Sequence, residues 1–163
     1  MSARVALDLK KYADVFGAMF GLGKALENSG LEQKLIYLID VRVSQLNGCG
    51  YCIDMHIKDA RLEGETEQRL YLLSAWREAS IYSERERAAL AWAEAVTKLE
   101  NGHVPDEVYT QARKHFDEQQ LMKLTLAVVA INGWNRFNIA FNNPPGTYKA
   151  GSLRKMTGGQ AAA

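Results

Sequence analysis

The chain has 163 residues, 47% of them hydrophobic and 24% charged, which fits one globular domain and excludes a disordered, collagenous or disulfide-stapled chain. Its 20 Lys and Arg against 19 Asp and Glu leave a formal charge of +1, so electrostatics supply no reason to expect nucleic acid or an anionic membrane as a partner. No apolar run reaches the ~18 residues of a transmembrane helix. The opening MSARVALDLKKY lacks the apolar core of an export signal, which predicts a cytoplasmic protein with reduced thiols.

Helical periodicity runs nearly from end to end. Tyr12, Val15, Phe16, Met19, Phe20 and Leu22 share one stripe at three- and four-residue spacing. Leu31, Leu35, Leu38, Ile39 and Leu46 mark a second helix that stops at Asn47-Gly48. A third runs from near Cys49 toward Glu63, with Gly64 as its C-terminal punctuation. Leu70, Leu73 and Trp76 predict a short fourth. Ser83 with Glu86 is a capping-box pair that opens a helix through Ala89, Leu90, Trp92 and Val96. Val104-Pro105-Asp106 starts another, and Asp117 with Gln120 repeats the cap before Leu121, Leu124, Val128 and Ile131. Period-two alternation between turn residues is missing, so the predicted class is all-α. The predicted organisation is one helical domain over residues 1–148, broken off by Asn143-Pro144-Pro145-Gly146, and an irregular tail over 149–163.

The chain also echoes itself. Aligning Gly48 with Gly133 sets Leu46-Asn47-Gly48 against Ile131-Asn132-Gly133, and Val43 against Val128. This predicts helix, Asn-Gly break, helix, twice over. Trp134, Phe137 and Phe141 then stand where Cys49, Cys52 and His56 stand in the first copy. Apolar packing suffices at those places in the second copy, so the thiols and the imidazole of the first need another reason.

That reason is chemical. On a helix advancing about 100° per residue, Cys49, Cys52 and His56 share one narrow face. Residues three apart lie roughly 5–6 Å between Cβ atoms, and a disulfide wants them nearer 4 Å, so a small adjustment in the first turn closes the bridge. Asn47-Gly48 puts the pair at a helix N-terminus, where free N–H groups favour a thiolate. His56, a turn beyond Cys52, is placed to carry that cysteine's proton. A zinc site is the competing reading, with two Cys and one His as ligands and a fourth from His103, His115, an acidic residue or water. A thioredoxin would need βαβ units that this chain does not show. Asp54, Lys58, Asp59 and Arg61 read as a solvated helix face, and Asn132, Trp134, Asn135 and Arg136 as a polar cluster around a large ring. The stripes Val15–Leu22 and Leu121–Ile131 are apolar enough for one of them to meet a second subunit.

The segment VSQLNGCGYCIDMHIKDAR, Val43 to Arg61, resembles AhpD-like proteins of the carboxymuconolactone decarboxylase family. RLYLLSAWREA, ERERAALAWAEAVT and INGWNRFNIAF continue the resemblance in order, from about Leu31 to Tyr148. It implies an all-α, AhpD-like helical bundle assembled as a homo-trimer or homo-hexamer. The implied activity is thiol-dependent reduction of a hydroperoxide, with an external dithiol as reductant and no flavin, haem or metal cofactor. By position, Cys52 resembles the peroxidatic cysteine, Cys49 its resolving partner in a redox disulfide, and His56 the relay histidine. The paired cysteines point away from the family's decarboxylase branch. One departure stands out: the family usually carries a glutamate twelve residues ahead of the first cysteine, and here that position is Tyr37. A phenol stays neutral near pH 7 and is a poor base. Asp40, on about the same helix face, can substitute if that face meets His56; with no carboxylate there, weak peroxidase turnover with the dithiol–disulfide oxidoreduction kept is expected.

Overall fold

The computed structural model describes residues 2–6, 8–26 and 29–153; the predicted tail beyond Leu153 lies outside them. Among the described residues seven α-helices are complete: α1 (Ala13–Leu26), α2 (Gln33–Asn47), α3 (Gly50–Leu62), α4 (Glu67–Leu72), α5 (Glu84–Lys98), α6 (Asp106–His115) and α7 (Glu118–Ala140). A 3-10 turn at Leu73–Ala75 extends α4 and another at Glu100–Gly102 follows α5. Among the described residues there is no strand, as the periodicity predicts. No helix among them is long and apolar enough to cross a membrane. Both predicted capping boxes form. Ser83 Oγ accepts from the Glu86 N–H at 3.3 Å while Glu86 Oε2 accepts from the Ser83 N–H at 2.8 Å. Asp117 and Gln120 exchange the same pair of bonds at 2.7 and 3.4 Å.

Helix α2 is the axis of the bundle, packed against α3, α5 and α7. Leu35, Ile39 and Val43 join Leu90's neighbours Ala89 and Ala93, together with Leu124, Val128 and Ile131, in the larger core cluster, which also holds both cysteines. Its other side, Tyr37, Leu38 and Val41, meets Ala60, Leu70, Leu73 and Trp76 in a second cluster. A buried Leu, Ile or Val contributes roughly 1.5–3 kcal/mol, so a helix buried on both flanks is firmly held.

The two Asn-Gly pairs behave differently. Gly48 adopts the left-handed conformation, φ 72°, and ends α2. Gly133 stays helical, and α7 runs unbroken through it to Ala140. The predicted second break is therefore absent. Gly133 instead lies beneath α1: a Cβ there would come within 2.9 Å of Met19 Cε. The echo still has a physical counterpart, because Asn47 Nδ2 donates to Asn132 Oδ1 at 2.9 Å.

The acidic face of α3 is not solvated as its charges suggested. Residues 146–151 cross it as a strap. The Gly146 N–H donates to Asp54 Oδ2 at 2.9 Å, the Tyr148 hydroxyl to Asp59 Oδ2 at 2.8 Å, and the Gly151 N–H to Asp59 Oδ1 at 2.8 Å. Asp59 is buried by this arrangement. An N-terminal arm crosses the end of α7 in the same manner, its Arg4 N–H donating to Phe141 O at 2.8 Å.

These environments separate two glycines that read alike in sequence. Gly48→Ala places a Cβ in the left-handed region and is expected to cost about 1–2 kcal/mol. Gly133→Ala gains helix propensity of about 1 kcal/mol and displaces only the end of the flexible Met19 side chain, so its net effect is expected within about 0.5 kcal/mol of zero. Urea unfolding of the two variants checks the contrast.

Candidate functional site

The corner between α2 and α3 sets the cysteine geometry. Cys49 is the N-cap of α3, with φ −82° and ψ 92°, so it lies just outside the helix that Gly50 begins. Its N–H donates to Ser44 O at 3.0 Å. Its Sγ accepts from the Cys52 N–H at 3.3 Å, the bond a capping Ser or Asp makes. The first-turn adjustment predicted for a bridge is this extended cap residue. Cys49 and Cys52 are joined as a disulfide, their Cα atoms 5.4 Å apart. Each is only 1% exposed.

One turn further along α3, His56 is 1% exposed and faces α2. There its Nδ1 lies 3.4 Å from Asp40 Oδ2, and Asp40 is fully buried. Burial holds the carboxyl well above its usual range and pushes the imidazole down to about 3. Among the described residues no hydrogen bond reaches either imidazole nitrogen or either Asp40 oxygen. Buried polar groups left unsatisfied are rare and costly, and they concentrate where chemistry is done. Tyr37, at the position the resemblance singles out, is buried a turn away in the second core cluster beside Ala60 and Trp76. The structure therefore brings Cys49, Cys52, His56 and Asp40 together around the α2–α3 contact.

Helix α7 adds a stripe of amides at three-residue spacing. Asn132 and Asn135 each accept from Asn47 Nδ2, at 2.9 and 2.8 Å, and Asn135 Nδ2 donates to Ser44 Oγ at 3.0 Å. These bonds pin the end of α2. The third member, Asn138, is buried and donates from Nδ2 to Cys52 Sγ at 3.5 Å. Its Oδ1 accepts from Asn143 Nδ2 at 2.9 Å. Asn138 was not among the residues predicted from sequence; the Asn132, Asn135, Asn138 repeat was the available signal. Arg136 bridges back to Asn132 on the exposed side, at 2.8 and 2.9 Å.

Two clefts reach the sulfurs. Cys52 lines a cavity of about 690 Å³, with Phe16, Phe20, Met55 and Trp134 among its walls. Cys49 lines a smaller one of about 290 Å³, edged by Gly48, Asn142, Pro144 and Pro145. Among the described residues no group of three or more His, Cys, Asp or Glu is placed to hold a metal ion.

Comparison with known proteins adds independent findings. A sequence model of the Carboxymuconolactone decarboxylase family matches residues 13–95. The chain is similar to the uncharacterized protein YdfG of Bacillus subtilis, 47% identical over 125 residues that cover 77% of this chain and 85% of that protein. It is also similar to the uncharacterized protein YnjA of Escherichia coli, 32% identical over 119 residues, or 72% of this chain and 64% of that one. Among solved structures it resembles a protein of unknown function from Agrobacterium tumefaciens, described as a candidate AhpD antioxidant defence protein. The TM-score is 0.84 and the identity 39%, with 90% of this chain and 100% of that one covered.

The buried pair predicts a distinctive dependence of stability on pH. Burial of Asp40 makes stability fall as pH rises from 3.8 through its raised folded value, and burial of His56 makes it fall as pH drops from 6.5 toward about 3. Between 3.8 and 6.5 these opposite slopes offset each other. Above pH 6.5 only the Asp40 limb remains, and stability falls as pH rises for as long as folded Asp40 keeps its proton. Below pH 3.8 the unfolded pair takes a second proton that folded His56 refuses down to about 3, so stability falls again. Each limb slopes by up to about 1.4 kcal/mol per pH unit. Denaturant unfolding of the protein against an Asp40→Asn/His56→Gln double variant is expected to show this plateau in the difference.

Proposed function

The chain belongs to the carboxymuconolactone decarboxylase family, in its AhpD-like branch, and from that premise we propose that it is a thiol-dependent peroxidase that reduces organic hydroperoxides through the Cys49–Cys52 pair. One observation supports this most: a disulfide at the first turn of α3 with a buried His56–Asp40 pair a turn behind it. Cys52 is the peroxidatic cysteine. His56 takes its proton, and the thiolate attacks the outer peroxide oxygen. The O–O bond breaks, Cys52 becomes a sulfenic acid, and the proton passes from His56 to the departing alkoxide, which leaves as an alcohol. Cys49 then condenses with the sulfenic acid, releasing water and forming the disulfide. An external dithiol returns both thiols by exchange and is itself oxidised to a disulfide. None of these steps requires a flavin, haem or metal.

Asp40 takes the part that the family's glutamate plays, a role supported by its carboxylate oxygen lying 3.4 Å from His56 Nδ1. Asp40 supports the imidazolium only as a carboxylate, so in the low dielectric of the core it must give up the proton that burial makes it hold as His56 is charged. A reducing compartment such as the cytoplasm suits a chain that must be returned to the dithiol form. Assembly as a homo-trimer or homo-hexamer belongs to the same reading, supported by the exposed apolar side chains Val15, Met122 and Val129 on α1 and α7.

Reduced protein exposed briefly to a slight excess of cumene hydroperoxide is expected to lose both titratable thiols and to show a Cys49–Cys52 bridge by mass spectrometry. Thiols that survive would overturn the peroxidase reading. Asp40→Asn is expected to slow peroxide reduction by about ten- to a hundredfold, general acid–base contributions being typically of that order or larger, with Tyr37→Phe changing it less than about threefold. Light scattering at micromolar concentration checks the assembly, and a monomer would remove that part alone.

A further inference from the structure

We infer that the cavity beside Cys52 seats the organic group of the peroxide and is built for a group that carries an aromatic ring. The inference rests on the peroxidase reading for the identity of the reacting head, and on the cavity itself for the rest. At about 690 Å³ the cavity has the size of a small-molecule site. Hydrogen peroxide, little larger than water, would leave nearly all of it unfilled.

The cavity lining combines a polar group at the sulfur with aromatic rings. Cys52 and Asn138 both line it, and Asn138 Nδ2 donates to the Cys52 sulfur at 3.5 Å and to Trp134 O at 2.9 Å. The N–H on the sulfur can turn to an arriving peroxide oxygen, which fixes the head group there. Phe16, Phe20 and Trp134 supply the aromatic lining. Phe20 and Trp134 stand 5.3 Å apart between ring centroids at an interplanar angle of 49°, and Phe16 stacks on Trp134 at 5.9 Å and 8°. Phe20 and Trp134 are only half-buried, so ring surface is turned to the cavity. Tilted and stacked rings at these separations accept a further ring edge-to-face or offset, beyond what area burial alone supplies. Met55, a thioether that also favours ring contact, lines the same space.

Both ends of the described chain cover this cavity. Ala3 and Ala6 of the N-terminal arm and Tyr148 of the strap line it, and each segment is tied down by hydrogen bonds, Arg4 to Phe141 and Tyr148 to Asp59. Backbone anchored over an apolar space makes a half-covered seat. A single cation, Lys149, is among the described lining residues, on the exposed side of the strap.

A matched pair of peroxides tests this. Cumene hydroperoxide differs from tert-butyl hydroperoxide by a phenyl in place of one methyl. With the reduced full chain, the second-order rate of disulfide formation is expected to be at least tenfold higher for cumene hydroperoxide than for tert-butyl hydroperoxide, and lower still for hydrogen peroxide. Ala6→Trp fills the space from an exposed position and Phe20→Ala removes a wall; both are expected to reduce the cumene to tert-butyl ratio at least threefold. Equal rates in the parent protein, a ratio unmoved in both variants, or faster reaction with a linear fatty-acyl hydroperoxide would each overturn the ring assignment while leaving the peroxidase reading intact. A second arm separates the two failures. Calorimetry with 2-phenyl-2-propanol, the alcohol product, on the disulfide form is expected to show binding that Ala6→Trp weakens at least threefold. Binding without oxidation by any peroxide would overturn the peroxidase reading and uphold the cavity's ligand class; no binding would overturn the latter.

Discussion

The reversal at Gly48 governs the geometry of the site. Its positive φ ends α2 abruptly, and the next residue, Cys49, emerges extended as the cap of α3. A helix continued through this point would hold the two cysteines at ordinary helical spacing; an extended cap lets their sulfurs meet. The same reversal turns α3 back along α2, which brings His56 to Asp40. The amides of α7 lock the corner from outside: Asn47 is held by Asn132 and Asn135, and Ser44 by Asn135. The Cys49–Cys52 corner is thereby supported by contacts that do not depend on the disulfide.

The buried Asp40–His56 pair is costly, since neither group makes a hydrogen bond among the described residues. A packed core would be more stable with apolar residues at both places. Their retention makes sense if a proton must be passed where water is excluded. Desolvation opposes charge on both members, so the carboxyl holds its proton and the imidazole resists taking one. Asn138 completes the surroundings of the sulfur with an uncharged donor, which can stabilise a developing thiolate without titrating.

Segments outside the bundle do more than bound it. The strap over α3 and the arm over α7 use backbone N–H groups and a few side chains to fasten themselves, and together they convert a shallow face of the bundle into a cavity. The acidic residues of α3 are thus anchors for chain that follows much later in sequence, which explains why their charges alone pointed to solvent.

Local rules determined a great deal. Three- and four-residue apolar spacing, two capping boxes and the paired prolines marked the helices, because such signals depend only on neighbours along one turn. The Cys49, Cys52, His56 register was legible for the same reason, and Asp40 could be named because it shares a helix face with Tyr37. Contacts between distant segments were not legible in this way. Gly48 and Gly133 follow identical asparagines, yet one ends a helix and the other admits Met19, a difference set by what packs above them. Asn138 gained its meaning only when α7 was laid beside α3, and Asp59 only when the strap crossed it. That Asp40 stands 3.4 Å from His56 was likewise decided by how two helices pack, since side-chain spacing orders residues along a helix but leaves open which neighbour stands opposite.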